Sequence, residues 1–353
     1  MASESTAEAV AERVFSAALG AMEILAIHLG DRLGWYRCLA GEGPSSSSEL
    51  AQRTGTSERY AREWLEQQAV TGYLTADDDG GTRRFSLPAG AAEVLTDENS
   101  LNYLAPLARM IAGAAVQLPA LHRAYRNGTG VSWQEFGDDA RQAQADMNRP
   151  WFEHELENAL RQAPDLVARL EKGGATIADI GCGAGWSTIA LGRAFPDASV
   201  SGFDIDAESV DLARANAAGA GNGVEFQHID ASGLPEGQFD VVFAFECIHD
   251  MPYPVEVLSA ARRSLRAGGT VVVMDEAVAE IFDPPGDEVE RLMYGFSLLI
   301  CLPDGMSHPD SAGTGTVMRP ATLRKYAAEA GFSDARTLPI HDFGFFRFYE
   351  LVS

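Results

Sequence analysis

Acidic side chains stand at the ends of successive apolar runs in the second half of the chain, and the first of them opens a glycine-rich turn. Asp179-Ile180-Gly181-Cys182-Gly183-Ala184-Gly185 closes the run that begins at Thr176. Glycines there let the backbone turn sharply and approach a ligand without Cβ clashes. The helix that follows offers free N–H groups at its start. A nicotinamide fingerprint, G-x-G-x-x-G, fails because its third glycine position is Trp186. A phosphate loop would need Gly-Lys-Ser/Thr, which is absent. Asp179 would repel a pyrophosphate and suits a cationic ligand carrying an ammonium and a sulfonium. Asp204 ends the next run, 21 positions after Gly183, where an acid can accept both hydroxyls of a ribose. Asp230-Ala231 follows the third run, where an acid can accept from an adenine amino group. Three acids in this register beside GxGxG point to one ligand-binding edge.

A second group of residues lies just downstream. His249 follows the run FDVVFAFE. An imidazole with an unperturbed pKa of about 6.5 can take a proton from a hydroxyl at neutral pH. Equally, His249 can serve only to order the loop before Pro252. Asp275 and Glu276 end the next run and are candidates to orient His249 or an acceptor. His308-Pro309-Asp310 and His341-Asp342 are metal-like pairs, but no spaced set of carboxylates accompanies them, so no metal site is expected. Cys182, Cys247 and Cys301 give no sign of converging.

These residues need a scaffold, and from residue 175 the pattern alternates strand and helix, the signature of a doubly wound sheet. Strands are expected at TIADI, SVSGFDI, VEFQHI, FDVVFAFE and TVVVMDE, with helices at 186–194, 207–217 and 254–265. A helix at 321–330 precedes two strands, 332–338 and 344–351, expected to pair as an edge hairpin. Residues 288–301 read as a helix with Val289, Leu292, Met293, Phe296 and Ile300 on one face. Residues 100–170 read as helical, with breaks at Pro119, Gly128-Thr129-Gly130 and Gly137.

At the other end, residues 8–29 carry Val14, Ala18, Met22, Leu25 and Leu29 at helical spacing. That face suits a domain core or a partner subunit equally. Ser48 and Ser57 are candidate caps of two further helices and Gly55 a stop. TADDDGGTRRFSLP reads as a hairpin turning at Asp79-Gly80-Gly81. Helix, turn, helix and hairpin make a winged helix. Arg59 and Arg62 are outnumbered by Glu58, Glu63 and Glu66, and Asp77 to Asp79 occupy the wing tip, which argues against DNA.

Composition agrees. The net charge is −24 over 353 residues, a field that repels nucleic acid and anionic membranes. Four scattered cysteines, without a CxxC pair, fit a reducing cytoplasm. The start MASESTAEAVAE has no basic segment before an apolar run, so no signal peptide is expected. Leu107 to Leu118 is too short to span a bilayer and contains Arg109.

In order and spacing, ADIGCGAG, FDID, HIDAS, FDVVFAFECIHDM, LRAGGTVVVMDE and the late hairpin resemble the class I S-adenosylmethionine-dependent methyltransferases over about residues 150–353. With the winged helix included, the whole chain resembles small-molecule O-methyltransferases of plants and actinomycetes. It is more similar still to actinobacterial methyltransferase-like proteins with FECIHDM and CLPDGM segments. The resemblance implies an α/β fold: a doubly wound, Rossmann-like, seven-stranded sheet with a mainly helical winged-helix N-terminal domain. The expected domains are residues 1–95, a winged helix for dimerisation or as a substrate lid, a helical connector at 96–172, and the cofactor-binding domain at 173–353.

The resemblance also implies roles. Gly181, Gly183 and Gly185, with Cys182 and Trp186 in the same loop, would line the methionine part of S-adenosylmethionine, and Asp179 would sit near its ammonium. Asp204 would hold the ribose. Asp230 and Ala231 would flank the adenine, with Phe203 or Ile205 packing on it, and Phe245 and Glu246 would close the floor. His249, Asp250 and Glu276 would be catalytic, although Met251 stands where an aromatic often follows the His-Asp pair. Met293, Tyr294, Ser297 and Met306 would touch the acceptor. Trp151, with Phe152 and Met147, would lid the site. The expected activity is methyl transfer to a small molecule, to oxygen before nitrogen, in a homodimer. A cofactor-binding regulator without catalysis is the alternative.

Overall fold

Helix α1 (Ala7–Arg32) starts where the Thr6 hydroxyl accepts a hydrogen bond from the Ala9 N–H. The computed structural model of the chain describes residues 6–220 and 223–352, and the side chains of Asp79 and Ala220 are outside it. The first residues of the segment read for a leader, 1–5, therefore lie outside the described residues. Within α1 only Ile27, Gly30 and Asp31 are buried. Val14 and Met22, at 63% and 70% exposure, head an apolar face that the described residues do not cover. The core alternative for this face is thereby corrected.

Helices α2 (Trp35–Glu42), α3 (Ser47–Thr54) and α4 (Glu58–Thr71) follow, then strands β1 (Thr75–Asp79) and β2 (Thr82–Ser86) and helix α5 (Ala89–Thr96). The cap of α3 is Ser46, not Ser48. Its hydroxyl accepts from the Glu49 N–H while the Glu49 carboxylate accepts from the Ser46 N–H, a reciprocal capping box. Gly55 ends α3 in the left-handed conformation. The β1–β2 turn rests on Gly80 and Gly81, both with positive φ, 62° and 96°, as a tight two-residue hairpin demands. Trp35, Tyr36, Leu50, Leu65 and Phe85 fill the core of this unit.

Helices α6 (Ala105–Val116), α7 (Leu118–Asn127), α8 (Trp133–His154), α9 (Leu156–Leu160) and α10 (Pro164–Leu170) lead onward. Gly128 caps α7, and Gly137, with φ 76°, breaks the helical geometry inside α8. The chain divides into two compact units, residues 1–113 with 142–147, and residues 114–141 with 148–353.

The second unit holds a seven-stranded sheet. Its elements are β3 (Thr176–Ile180), α11 (Trp186–Ala194), β4 (Ser199–Asp204), α12 (Ala207–Ala220), β5 (Glu225–His228), β6 (Phe239–Phe245), α13 (Pro254–Ser264) and β7 (Leu265–Glu276). Helix α14 (Glu288–Phe296), a π turn over Ser297–Cys301, α15 (Leu302–Gly305), α16 (Pro320–Glu329), β8 (Asp334–Thr337) and β9 (Phe346–Val352) complete it. The strand order is β5-β4-β3-β6-β7-β9-β8, parallel except for β9, which runs antiparallel to β7 and to β8. Every residue of β6 is buried, as expected of a parallel strand covered on both faces. Period-two alternation divides the sheet residues between two layers. Ala178, Ile180, Val242, Ala244 and Val273 pack on one side, and Ile177, Val241, Phe243, Val272 and Met274 on the other. Because β3, β4, β6 and β7 are parallel, their carboxyl ends share one edge, and the chemistry-bearing residues collect there. Among the described residues, no helix is long and apolar enough to cross a membrane.

Candidate active site

The loop after β3 is shaped by three glycines of positive φ, Gly181 (66°), Gly183 (51°) and Gly185 (81°). A Cβ at Gly181 would meet the Cys247 side chain at 2.8 Å, and one at Gly185 would meet the Phe226 ring at 2.7 Å. A Cβ at Gly183 would meet nothing within 4 Å. Packing therefore explains two of these glycines, while Gly183 borders open space. Beneath the loop Asp179 is fully buried. Its Oδ2 accepts from the Ser187 and Thr188 hydroxyls, both at 2.6 Å. Its Oδ1 is buried and has no hydrogen-bond partner among the described residues. Burial pushes the Asp179 pKa up to about 7 against the opposing effect of those hydroxyls. Cys182 is buried within the loop, and Trp186, the first residue of α11, lies 4.6 Å beneath the Arg149 guanidinium.

Asp204, at the end of β4, accepts from the Gly183 N–H and from the Asp206 N–H, each at 2.8 Å. Each oxygen keeps a lone pair for a further donor. Burial raises the Asp204 pKa while these N–H groups oppose it. Asp206 is in turn held by Arg141 Nε at 2.9 Å, a pair buried on both sides. Phe203 turns into the core against Phe239, at 5.8 Å between ring centres, whereas Ile205 is exposed at the edge. Of the two residues considered for packing on the adenine, only Ile205 presents its side chain outward. Asp230 is exposed and accepts from the Ser232 N–H at 2.8 Å, capping a short turn that begins at Ala231. Phe245 stacks on Phe243 with centroids 5.0 Å apart. Glu246 has φ 54° and accepts from the Asn148 amide at 2.6 Å. Burial pushes the Glu246 pKa up to about 7, with His249 and Asn148 opposing.

His249 is buried among carboxylates. Its Nδ1 lies 3.1 Å from both oxygens of Asp275 and 3.3 Å from Glu276 Oε2, while Nε2 lies 3.3 Å from Asp250 Oδ1. The imidazole is thus fixed across the sheet by β7 and not only by its own loop. Burial alone would favour the neutral ring. The charges of Asp250, Glu276 and Asp275 outweigh it and raise the His249 pKa well above its ordinary value. The expectation of an unperturbed imidazole is corrected accordingly, because sequence spacing did not reveal how many carboxylates converge. Burial likewise raises the Glu276 carboxyl well above its usual range, with His249 opposing.

The segment after β7 closes over this loop. The Gly315 N–H donates to the His249 carbonyl at 3.1 Å, and the Ala312 N–H to the Pro252 carbonyl at 2.8 Å. Ser297 is buried against Gly315, and Met306 packs on Gly313. Met293 is buried, whereas Tyr294 is exposed, its hydroxyl 3.4 Å from Arg319. Of the proposed wall, Ser297 therefore lies against Gly315 and Met306 against Gly313, in the segment that bonds back to the His249 loop, while Tyr294 pairs outward with Arg319. Trp151 lies edge-on to Phe343 and Phe152 edge-on to Phe245, so both rings belong to the apolar layer.

Three features had no sequence signal of their own. Ser187 and Thr188 read only as helix residues, yet they hold Asp179. Arg141 and Asn148, from α8, reach Asp206 and Glu246. Cys301 ends the π turn and comes to His249 and Asp250, all three ligand-type atoms lying within 4.8 Å of one another. The sequence pairs at His308 and His341 do not join any such group among the described residues.

A methyltransferase-domain family matches residues 177–269, and an Rv2258c-like winged helix-turn-helix domain matches residues 20–97. Trans-aconitate 2-methyltransferase of Deinococcus radiodurans is 30% identical over 193 residues, 52% of this chain and 69% of that protein. The 27-O-demethylrifamycin SV methyltransferase of Amycolatopsis mediterranei is 31% identical over 167 residues, 45% of this chain and 61% of that protein. The match to the ubiquinone biosynthesis O-methyltransferase of Pseudomonas paraeruginosa spans 43% of that protein's length. The chain thus spans about half of the length of the curated relatives it matches first. Among solved structures, mitomycin 7-O-methyltransferase superposes with a TM-score of 0.72 at 25% identity over 98% of both chains. Human N-acetylserotonin methyltransferase, solved with S-adenosylmethionine, gives 0.73 at 18% identity over 100% of this chain and 99% of that one. With these relatives, the GxGxG loop and the sheet order in hand, the chain belongs to the class I S-adenosylmethionine-dependent methyltransferases.

Proposed function

We propose that the protein transfers the methyl group of S-adenosylmethionine to a hydroxyl oxygen of a small, partly apolar acceptor. The observation that carries this reading is His249, oriented at Nδ1 by Asp275 at the carboxyl edge of the sheet, where a proton acceptor for a hydroxyl is needed. When bound, the cofactor supplies an electrophilic methyl on a sulfonium. The residues present fit it: open space beside Gly183, an unpartnered buried Asp179 Oδ1, and the exposed pair Ile205 and Asp230. Asp179 answers the cofactor's ammonium, Asp204 its ribose, Asp230 and Ala231 its adenine, and Phe245 and Glu246 the floor of the site. His249 takes the hydroxyl proton at Nε2, while Asp275 and Glu276 hold the ring. Asp250 Oδ1, 3.3 Å from that same Nε2, stabilises the proton it takes, and Ser297 and Met306 bound the acceptor.

The expected domains carry the remaining roles. Residues 1–95 serve dimerisation or lid formation, 96–172 connect, and 173–353 bind the cofactor. The exposed face of α1 supports a homodimer. A role in DNA binding is disfavoured because Arg59, Arg62, Arg83 and Arg84 are each paired with a glutamate. The charge and cysteine pattern support a cytoplasmic setting. The test is direct: incubate the protein with S-adenosylmethionine and a panel of phenols, hydroxy acids and amines, and follow S-adenosylhomocysteine and methylated product by mass spectrometry. Methylated amines with untouched hydroxyl compounds would replace oxygen by nitrogen. No product with any acceptor, beside tight cofactor binding, would favour a non-catalytic regulator.

A further inference from the structure

We infer that His249 Nε2, Asp250 Oδ1 and Cys301 Sγ form a site for a zinc-class divalent cation, and that its occupancy switches off proton transfer at His249. The site goes beyond the methyl-transfer reading, and only its inhibitory consequence rests on that reading. The donor atoms come from the loop after β6 and from the π turn, and all lie within 4.8 Å of one another. Nitrogen, oxygen and sulfur together are a donor set that zinc takes, at about 2.0–2.3 Å. Tetrahedral angles at such bonds separate a nitrogen from an oxygen ligand by about 3.3 Å, and Nε2 and Oδ1 lie 3.3 Å apart.

The surroundings are those of a ligand set. A metal-binding imidazole commonly donates its other N–H to a carboxylate, which fixes the tautomer. Here Nδ1 faces both oxygens of Asp275 at 3.1 Å. Asp250 Oδ1 is buried and, among the described residues, faces only the His249 Nε2 at 3.3 Å, without an aligned hydrogen bond. The Thr316 hydroxyl lies beside the Cys301 thiol, where it can donate to a thiolate. Three carboxyl groups, Asp250, Asp275 and Glu276, surround one imidazole, so oxygen donors crowd the ring on both of its nitrogens. Binding sends the Nε2 and Sγ protons to solvent and uses the Nε2 lone pair. The ring then cannot accept a proton from a hydroxyl.

The experiment uses the full chain stripped with a chelator. Cobalt(II) added to it is expected to give a thiolate-to-cobalt charge-transfer band in the near ultraviolet. Zinc, measured by competition with a chromogenic chelator, is expected to bind at about one per chain. Cys301→Ser should abolish the band and weaken zinc at least tenfold, with an unchanged melting curve. Asp275→Asn should weaken zinc by about 10- to 100-fold. Methyl transfer by the wild type should fall with zinc and recover with chelator, whereas Cys301→Ser should be insensitive. Absence of zinc uptake, or uptake unchanged in Cys301→Ser, overturns the site. Zinc uptake with undiminished or faster transfer overturns the switch. Chelator-treated protein that binds cobalt but methylates nothing fails the methyl-transfer reading and leaves the site standing.

Discussion

His249 Nδ1 sits 3.1 Å from both carboxylate oxygens of Asp275, although 26 residues separate them. The contact joins the loop after β6 to the end of β7 and leaves Nε2 as the ring nitrogen that faces Asp250. Replacing Asp275 by Asn should leave the fold intact but lose the charge and the preferred tautomer. His249→Ala should lower turnover by about 100- to 10,000-fold with cofactor affinity nearly unchanged. Loss confined to the Michaelis constant would mean that His249 only positions the acceptor.

The raised pKa of His249 has a kinetic sign. The ring must be neutral to accept a proton, so turnover should climb with pH and level off well above the ordinary imidazole range. Asp250→Asn removes one of the charges that raise it, so the ascending limb should move to lower pH. The measurement is a pH–rate profile of both proteins with chelator present. Coincident limbs would remove Asp250 from the account.

Asp179 offers a second pH test. Its pKa of about 7 in the folded protein exceeds the value of 3.8 expected when unfolded. A raised acid adds stability that is full below the unfolded pKa and is lost as pH rises through the folded one. The cofactor-free protein should therefore lose stability between about pH 4 and 7, and Asp179→Asn should flatten that decline. A cation binding beside Asp179 should also release a proton near pH 7. Calorimetry in buffers of different ionisation enthalpy would detect it, and identical heats in all buffers would place the ammonium elsewhere.

Asp204→Ala should weaken cofactor binding by about 1.5–3 kcal/mol, the range for hydrogen bonds to a charged group. The loop should loosen as well, because Asp204 also accepts from Gly183 and Asp206. An unchanged dissociation constant for S-adenosylhomocysteine in a folded variant would show that the ribose is held by other groups.

The apolar face of α1 predicts dimers. Val14→Asp with Met22→Asp changes two side chains that this chain leaves exposed, so the fold should survive while association weakens. Light scattering at micromolar concentration should give a dimer mass for the wild type and a smaller one for the variant. A wild-type monomer ends the idea.

Local sequence determined the elements and the ligand loop of this protein. The run TIADI followed by GCGAG specified β3 and its turn, and α11 spans Trp186–Ala194 as its pattern indicates. Periodicity and glycine chemistry act over a few residues, so they are legible without a partner. That Asp179, Asp204 and Asp230 stand at or just beyond the carboxyl ends of β3, β4 and β5 also followed, since these parallel strands end on one edge. Tertiary structure alone decided what covers each face. The same periodic pattern in α1 served a core or a partner equally, and only the fold shows Ile27 buried with residues of α2 and α4 while Val14 and Met22 stay exposed. The charge state of His249 depended on Asp250, Asp275 and Glu276 converging from two strand ends. Cys301 reached that cluster through a π turn, a change of helical register that the apolar spacing of residues 288–301 did not encode. Electrostatics and coordination depend on distances between residues far apart in the chain, and those distances exist only once the sheet is assembled.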